Sequence, residues 1–177
     1  LLSWFPYTSI KTIVDATAHI GVDTIHLSDV FPMAQIDAYE VVPETFEALR
    51  KNIIAFNKQD QIIPHNEDVT TWNPINMVDL IFVDPPWGGT DYTKHDRIDL
   101  FLQKEGNAQN DSKNINVLID KWINTQKVKN VVLKAPRNFN KTYLFSKYKD
   151  LIREENVVNR MKNVAYTLIH IRSPFLE

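Results

Sequence analysis

The apolar segment Met77–Val83 and the turn Asp84–Gly89 that follows it constrain the fold of this chain more than any other part of the sequence. The segment has the length of one buried strand, and the turn has the sequence DPPWGG. Two of the only four glycines in 177 residues stand in this turn, where we expect backbone conformations that a Cβ atom disfavours. The pattern predicts a parallel strand, buried on both faces, whose carboxyl end opens onto a rigid turn.

The residue types in this turn indicate a site for a planar amino group. Pro85 and Pro86 have no N–H donor, so their carbonyl oxygens can accept protons, and Trp87 offers a face for a ring. Asp84 adds an acceptor that can draw a proton from such a group. These four residues are the candidate catalytic group, and the pattern favours methylation of an exocyclic amino group.

Strand and helix patterns alternate along the rest of the chain. Strands are predicted at Thr12–Ala16, Gln35–Tyr39, Gln61–Pro64 and Val131–Lys134, in addition to the run that precedes Asp84. Helices are predicted at Val22–Ser28, from Pro43 onward, over residues 115–123, and at Lys141–Glu154. At the end of the chain, Val157–Val158 and Val164–Ile171 flank a turn at Arg160–Asn163 and predict an antiparallel hairpin. The fold class is therefore α/β, with a mostly parallel sheet and ligands at the carboxyl ends of its strands.

Four acidic residues lie at or just after the ends of predicted strands, namely Asp15, Glu40, Asp68 and Asp84. The carboxyl ends of parallel strands meet at one edge of a sheet, so we expect all four side chains to point into one crevice. Glu40 suits a ribose diol there. Asp15 and the loop through Gly21 would bring an acid and backbone N–H groups to the amino-acid end of a cofactor.

A second acidic pair, Glu67-Asp68, follows the third predicted strand in a segment rich in turn-forming residues. An acid there can accept a hydrogen bond from an adenine amino group, or it can cap a turn or a helix. The loop from Thr17 to Gly21 has one glycine and neither a dinucleotide fingerprint nor a Walker A lysine, which argues against phosphate binding.

The charge pattern argues against a protein that coats long nucleic acids, because the net charge is −2. Between Lys127 and Arg153, however, eight basic residues accompany a single acid, Asp150. This cluster, which includes Lys134, is either a face with affinity for a few phosphates or an ordinary solvated helix face.

Other features of the sequence predict a protein without metal or membrane span. It has no cysteine, and its five histidines show no paired spacing. It has no apolar run of about 18 residues and no leader pattern. We expect one domain over residues 1–177, a mobile loop at Glu105–Asn114 near the site, and, because the chain begins at Leu1, a piece of a longer protein.

Three motifs together resemble the trimethylguanosine synthase family over nearly the whole chain, from about Trp4 to Ile171. The first is Asp84–Gly89 followed by Asp91-Tyr92, whose Pro-Pro-Trp-Gly-Gly-x-x-Tyr string is the most specific. The others are Val14-Asp15-Ala16 with Gly21 and Asp23-Thr24-Ile25, and Ala135-Pro136-Arg137-Asn138. The members of this family are S-adenosylmethionine-dependent methyltransferases that act on N2 of the guanine in RNA caps.

The resemblance implies a Rossmann-like class I methyltransferase with a seven-stranded sheet. Trp87 would stack on 7-methylguanine, while Asp84 and the Pro85 carbonyl would hold the N2 amino group. Further cap contacts would come from Tyr92 and from Arg137 or Asn138. The residues implied for S-adenosylmethionine are Asp15, Ala16, Thr17, Gly21, Thr24, Glu40, Glu67, Asp68 and Asp84.

Departures from the family pattern indicate a viral or otherwise divergent member. His19 and Val22 stand where the family usually has glycine, the position of Asp84 is often serine, and residues 1–11 correspond only to the end of an N-terminal extension. The expected partner is capped RNA, and the expected form is a monomer in the nucleus or the cytoplasm, the host cytoplasm for a viral protein. Two alternatives stay open. One is an N6-adenine or guanine-N2 methyltransferase acting on DNA or rRNA, and the other is a catalytically silent module that binds caps or RNA.

Overall fold

The computed structural model describes residues 4–102, 111–158 and 164–175. Seven strands form one sheet: β1 (Thr12–Asp15), β2 (Gln35–Tyr39), β3 (Ile62–His65), β4 (Leu80–Val83), β5 (Asn130–Ala135), β6 (Ile152–Val158) and β7 (Val164–Arg172). Four helices accompany them: α1 (Val22–Val30), α2 (Pro43–Ala55), α3 (Ile115–Asn124) and α4 (Thr142–Tyr148). The predicted α/β class is confirmed.

The strand order β3-β2-β1-β4-β5-β7-β6 combines a parallel core with an antiparallel edge. The first five strands in this order pair in parallel, whereas β7 runs antiparallel to both β5 and β6. The order reverses direction between β1 and β4, which creates a crevice outside the carboxyl ends of these two strands. This crevice lies where the motif after Met77–Val83 was expected to act.

Strand β4 is buried on both sides because successive side chains of a strand point to opposite faces. Ile81 and Val83 belong to a core cluster with α3 and α4, whereas Leu80 and Phe82 belong to a second cluster with α1 and α2. Helices therefore cover both faces of the sheet. This arrangement explains the continuous apolar run in the sequence, since a strand packed on both sides needs no polar face.

The predicted C-terminal hairpin is confirmed as β6 paired with β7, although its turn at residues 160–163 lies outside the described residues. The prediction of a helix up to Glu154 is wrong. Helix α4 ends at Tyr148, a short 3-10 turn follows, and β6 already begins at Ile152. β6 is an edge strand with a mostly exposed, charged sequence, and such residues protect a sheet edge while hiding its alternating pattern.

Most of the predicted mobile loop lies outside the described residues. Of Glu105–Asn114, residues 105–110 are not described, and Asp111–Lys113 form a short 3-10 helix. Among the helices of the described ranges, none is both long and apolar enough to cross a membrane.

Candidate active site

A cavity of about 740 Å³ opens at the carboxyl ends of β1, β2, β4 and β5. Its wall combines apolar side chains with five carboxylates and one ammonium group. The lining residues that matter for the chemistry are Ala16, Thr17, His19, Val22, Asp23, Glu40, Val41, Glu67, Asp68, Val69, Asp84, Pro85, Pro86, Trp87, Tyr92, Leu102 and Lys134. Three of the four strand-end acids predicted to meet in one crevice do meet here.

Asp15 is the exception, because its side chain is completely buried behind the cavity wall. One carboxyl oxygen accepts a hydrogen bond from the Thr17 backbone N–H at 3.1 Å, and the other accepts one from the Thr24 hydroxyl at 2.6 Å. Burial raises the pKa of Asp15 to about 7. The expectation that Asp15 faces the crevice is therefore wrong, and its role is to shape the loop that leads from β1 to α1.

Gly21 and Thr24 also lie behind the wall rather than in it. Gly21 precedes α1 in the left-handed region, at φ +96°, and a Cβ atom there would lie 2.8 Å from Leu49 Cδ1. The left-handed backbone favours glycine at this position, and the Leu49 side chain of α2 leaves little room for a Cβ atom. Ala16 and Thr17 do line the cavity, so the part of the predicted cofactor loop that faces the ligand is its first half.

Glu40 directly follows β2 and lines the cavity as predicted. Its Oε1 accepts a hydrogen bond from the Val42 backbone N–H at 2.7 Å, which fixes the side chain just before α2 begins at Pro43. Val41 lines the cavity beside it. An anchored carboxylate next to an apolar side chain is suited to a ribose diol and to the flat ring attached to that ribose.

Asp68 caps a turn and also lines the cavity. Its Oδ1 caps a turn by accepting hydrogen bonds from the backbone N–H and the hydroxyl of Thr70, at 2.9 and 2.7 Å. Its Oδ2 lies 3.7 Å from the ammonium of Lys113, and the residue lines the cavity together with Glu67. The turn thereby presents a rigid carboxylate at the side of the cavity closest to β3.

Asp84 is held from two directions at the end of β4. Its backbone N–H donates to the Thr17 hydroxyl at 2.7 Å, and its Oδ2 lies 2.9 Å from Lys134 Nζ. Burial raises its pKa, the hydrogen bond and charge of Lys134 lower it, and Asp23 raises it again, so that the pKa stays above its ordinary value. A carboxylate of raised pKa at the end of a buried strand is suited to accept a proton.

Lys134 is a site residue that the sequence analysis missed, because it was grouped with the basic cluster from Lys127 to Arg153. It lies near the end of β5, and its ammonium contacts both Asp23 and Asp84 at 2.9 Å. The rule that identified the acids would have identified it too, since Lys134 also stands at the carboxyl end of a strand.

The aromatic part of the site is built by the turn after Asp84. Pro85 is buried, Trp87 is partly buried against the core, and both line the cavity. The Trp87 and Tyr92 rings contact edge to face, with centroids 5.4 Å apart and an interplanar angle of 78°. The buried indole Nε1 of Trp87 has no hydrogen-bond partner within residues 4–102, 111–158 and 164–175.

The two residues predicted to contact the substrate from the end of β5 lie elsewhere. The Asn138 amide donates to the backbone carbonyls of Tyr92 and His95, at 2.7 and 2.8 Å, and so fastens the short 3-10 helix Gly89–Lys94 to the end of β5. Arg137 is exposed, and neither residue lines the cavity. Asn138 therefore supports the aromatic turn instead of reaching a ligand in this conformation.

Within the ranges that the structure describes, no group of three or more histidine, cysteine, aspartate or glutamate side chains could hold a metal ion.

The fold is shared with S-adenosylmethionine-dependent methyltransferases. A human methyltransferase 10 domain-containing protein superposes with a TM-score of 0.62 at 11% identity, over 95% of this chain and 73% of that one. An O-methyltransferase from Thermotoga maritima superposes with a TM-score of 0.65 at 15% identity, over 99% of this chain and 64% of that one. An rRNA methylase from Streptococcus thermophilus superposes with a TM-score of 0.63 at 9% identity, over 94% of this chain and 89% of that one. At these identities the similarity shows the fold alone.

Sequence comparison adds the family. No curated protein matches the chain. The model of one family, described as RNA cap guanine-N2 methyltransferase, matches residues 10–171, which include every element from β1 to α4 and nearly all of β7. The match extends over more than half of the chain and confirms the resemblance found from the motifs, so the chain belongs to the RNA cap guanine-N2 methyltransferase family.

Proposed function

We propose that this protein uses S-adenosylmethionine to methylate the exocyclic N2 amino group of 7-methylguanosine in RNA caps. The observation that carries the proposal is that the Asp84–Trp87 turn lines the same cavity as Glu40 and Asp68. An acceptor platform for a planar amino group therefore adjoins a set of residues suited to a nucleoside. The family match supports the same conclusion.

The residues around the cavity fit the cofactor. Glu40, anchored by the Val42 N–H, would accept hydrogen bonds from the ribose diol, and Asp68 or Glu67 would accept one from the adenine amino group. Val41, Val69 and Leu102 are among the lining residues and form the apolar surface that an adenine ring needs. The chemistry of this donor and acceptor set matches a nucleoside that carries a cationic tail, since the apolar wall carries five carboxylates and one ammonium group.

The acceptor base would lie against Trp87. 7-Methylguanine is a cation, so the indole face attracts it by about 0.5–2 kcal/mol beyond ordinary stacking, and unmethylated guanine lacks this contribution. The carbonyl oxygen of Pro85 and the carboxylate of Asp84, which follow β4 and line the cavity, would accept the two N2–H hydrogens. Together these contacts would hold N2 in a fixed position.

When bound, S-adenosylmethionine would supply an electrophilic methyl group. The N2–CH3 bond would form as the S–CH3 bond breaks, S-adenosylhomocysteine would leave, and N2 would give up one proton. Asp84 provides the acceptor for that proton. The transfer needs no strong base, because correct positioning of the two reactants supplies most of the rate. Burial of Asp84 keeps its pKa above the ordinary range, which makes it a better acceptor than an exposed aspartate.

The test is methyl transfer from labelled S-adenosylmethionine to 7-methyl-GTP, GTP and an adenine-containing oligonucleotide, with products identified by mass. We expect dimethylated or trimethylated guanosine from 7-methyl-GTP, little product from GTP, and none from the oligonucleotide. Asp84→Asn should lower the rate at least tenfold. Asp29→Asn is the matched control, since Asp29 is an exposed acid of α1 that pairs with Lys58 outside the cavity.

Two other results would contradict the cap assignment. Transfer to the oligonucleotide alone would indicate a methyltransferase of DNA or RNA bases. Silence with all three acceptors, together with clear binding of S-adenosylhomocysteine by calorimetry, would exclude 7-methyl-GTP as a substrate of this chain.

A further inference from the structure

Lys134 places a positive charge between two carboxylates on the floor of the cavity. Its Nζ lies 2.9 Å from Asp23 Oδ2 and 2.9 Å from Asp84 Oδ2. The ammonium also lies 5.2 Å from the centroid of the Tyr166 ring, within the range of a cation–π contact. Three separate elements, α1, the end of β4 and β7, thus fix the position of one side chain of β5.

This arrangement differs from an ordinary surface ion pair. The Lys134 side chain is only 19% exposed, and those of Asp23 and Asp84 are 32% and 25% exposed. Exposed pairs contribute little because water screens them, whereas charges taken out of water interact strongly. For comparison, the exposed pair Lys94–Asp91 has side chains that are 73% and 67% exposed.

Asp23, Asp84 and Lys134 form a network with two negative charges and one positive charge. Lys134 and Asp23 have opposite effects on the pKa of Asp84. Lys134 stabilises the carboxylate form of Asp84, whereas Asp23 disfavours it. Asp15, buried on the β1 side, is the other acid that interacts electrostatically with this group. Burial lowers the pKa of Lys134, but its hydrogen bonds to Asp23 and Asp84 outweigh that effect, so Lys134 keeps its proton.

We propose that Lys134 and Asp23 are positioning residues that hold Asp84 in place and tune its readiness to accept the proton released by the substrate's amino group. This inference rests on the proposed function. In the transfer step the proton moves from N2 to Asp84, and Lys134 stays protonated throughout. Lys134 keeps Asp84 ionised before the reaction, and Asp23 limits that stabilisation so that Asp84 remains able to take up the proton.

The first test is the pH dependence of kcat for Lys134→Met. The rate of the wild type should rise with pH as Asp84 loses its proton. Removal of the ammonium raises the pKa of Asp84. The acid limb, which is the rising part of the pH–rate profile, should therefore move to higher pH by about one unit or more. At pH values below both midpoints the rate should then fall about tenfold, and it should recover at pH values above both. A uniform loss at every pH, or an unmoved limb, would overturn the proposal.

Lys129→Met is the matched control. Lys129 immediately precedes β5, pairs with the buried Asp79 at 2.7 Å, and lies at the opposite end of the strand, away from the cavity. This variant also replaces a lysine that pairs with an aspartate, but it leaves the contacts of Asp84 unchanged. We expect the acid limb of the control to coincide with that of the wild type.

Asp23→Asn gives a second test with the opposite sign. Without the Asp23 charge, Asp84 is easier to ionise, so the acid limb should move to lower pH. Asparagine keeps the size of the side chain, so this variant also serves if Lys134→Met does not fold. A shift to higher pH would overturn the proposal. Lys134→Arg, which retains the charge, should restore a limb close to that of the wild type.

A measurement on the protein without substrate separates this inference from the proposed function. The carboxyl carbon of Asp84, labelled with carbon-13 and assigned by its absence in Asp84→Asn, can be titrated by NMR. Its midpoint should rise in Lys134→Met and fall in Asp23→Asn. If no acceptor is methylated, the proposed function fails, yet these midpoints still decide the inference. Equal midpoints in all three proteins would overturn it.

Discussion

At the scale of single residues, Trp87 combines a structural and a recognition role. Its ring packs partly against the core and also lines the cavity. The ring therefore contributes to stability and, in the proposed function, would also contact the base. A substitution at Trp87 should affect both properties, by different amounts.

We predict that Trp87→Ala lowers the preference for 7-methyl-GTP over GTP by about 2- to 30-fold, the factor that corresponds to a cation–π contribution of about 0.5–2 kcal/mol. The ratio of kcat/KM values for the two substrates measures it. Stability should fall by less than the roughly 3–5 kcal/mol typical of a fully buried tryptophan. Trp72→Ala is the control, because Trp72 packs against the same core but does not line the cavity. An unchanged ratio in Trp87→Ala would remove Trp87 from base recognition.

Residue scale is also where the sequence predicted least. Position along a strand shows that a side chain stands at the ligand edge, but not which way it turns. Asp15 ends β1 and Glu40 directly follows β2, yet Asp15 is fully buried and hydrogen-bonded to Thr17 and Thr24, whereas Glu40 lines the cavity. Lys134 was missed because the sequence analysis grouped it with the surrounding basic residues. One of these, Lys129, has a side chain that is 45% exposed, whereas the Lys134 side chain is 19% exposed.

At the scale of elements, the local patterns predicted the buried strands and helices but not the edge strand β6. β2 has the predicted bounds Gln35–Tyr39, and α2 begins at Pro43, where proline suits the first turn of a helix. The apolar spacing of α3 matches its buried side, which includes Ile115 and Trp122. β6 could not be recognised beyond Val157–Val158, because an exposed edge strand lacks the alternation that marks a buried one.

The loop between β1 and α1 offers a prediction at this scale, through two glycines with similar backbone but different surroundings. Gly21 at φ +96° has Leu49 Cδ1 within 2.8 Å of an added Cβ, whereas Gly88 at φ +94° has nothing within 4 Å. Alanine at either position should cost about 1–2 kcal/mol for the left-handed backbone. Gly21→Ala should lose additional stability through the clash.

Urea unfolding of the two variants and the wild type would measure this difference. Gly88→Ala serves as the control for backbone strain alone, so the excess loss in Gly21→Ala reports the contact between the loop and α2. Equal losses would show that Leu49 moves aside without penalty, and that the loop is held by Asp15 and Thr24 rather than by close packing against α2.

At the scale of the whole molecule, the strand order decides where these residues meet. Because the order reverses between β1 and β4, residues as distant in sequence as Thr17 and Asp84 come within hydrogen-bond distance. The antiparallel β7 inserts between β5 and β6 and brings Tyr166 beside Lys134. The sequence predicted the sheet and its ligand edge, but the contact between β7 and Lys134 depends on pairing that no local pattern contains.

This assembly predicts that ligand binding stabilises the whole fold. S-adenosylhomocysteine at a hundredfold excess over its Kd should raise the free energy of unfolding by about 2.7 kcal/mol. Glu40→Gln keeps an acceptor for the Val42 N–H but loses the charge offered to the ribose, which should weaken binding about tenfold. At the same ligand concentration its stabilisation should then fall to about 1.4 kcal/mol. Glu44→Gln, in the first turn of α2 and outside the cavity, should behave like the wild type. Equal stabilisation of Glu40→Gln and the wild type, measured by urea unfolding with and without ligand, would place the ribose away from Glu40.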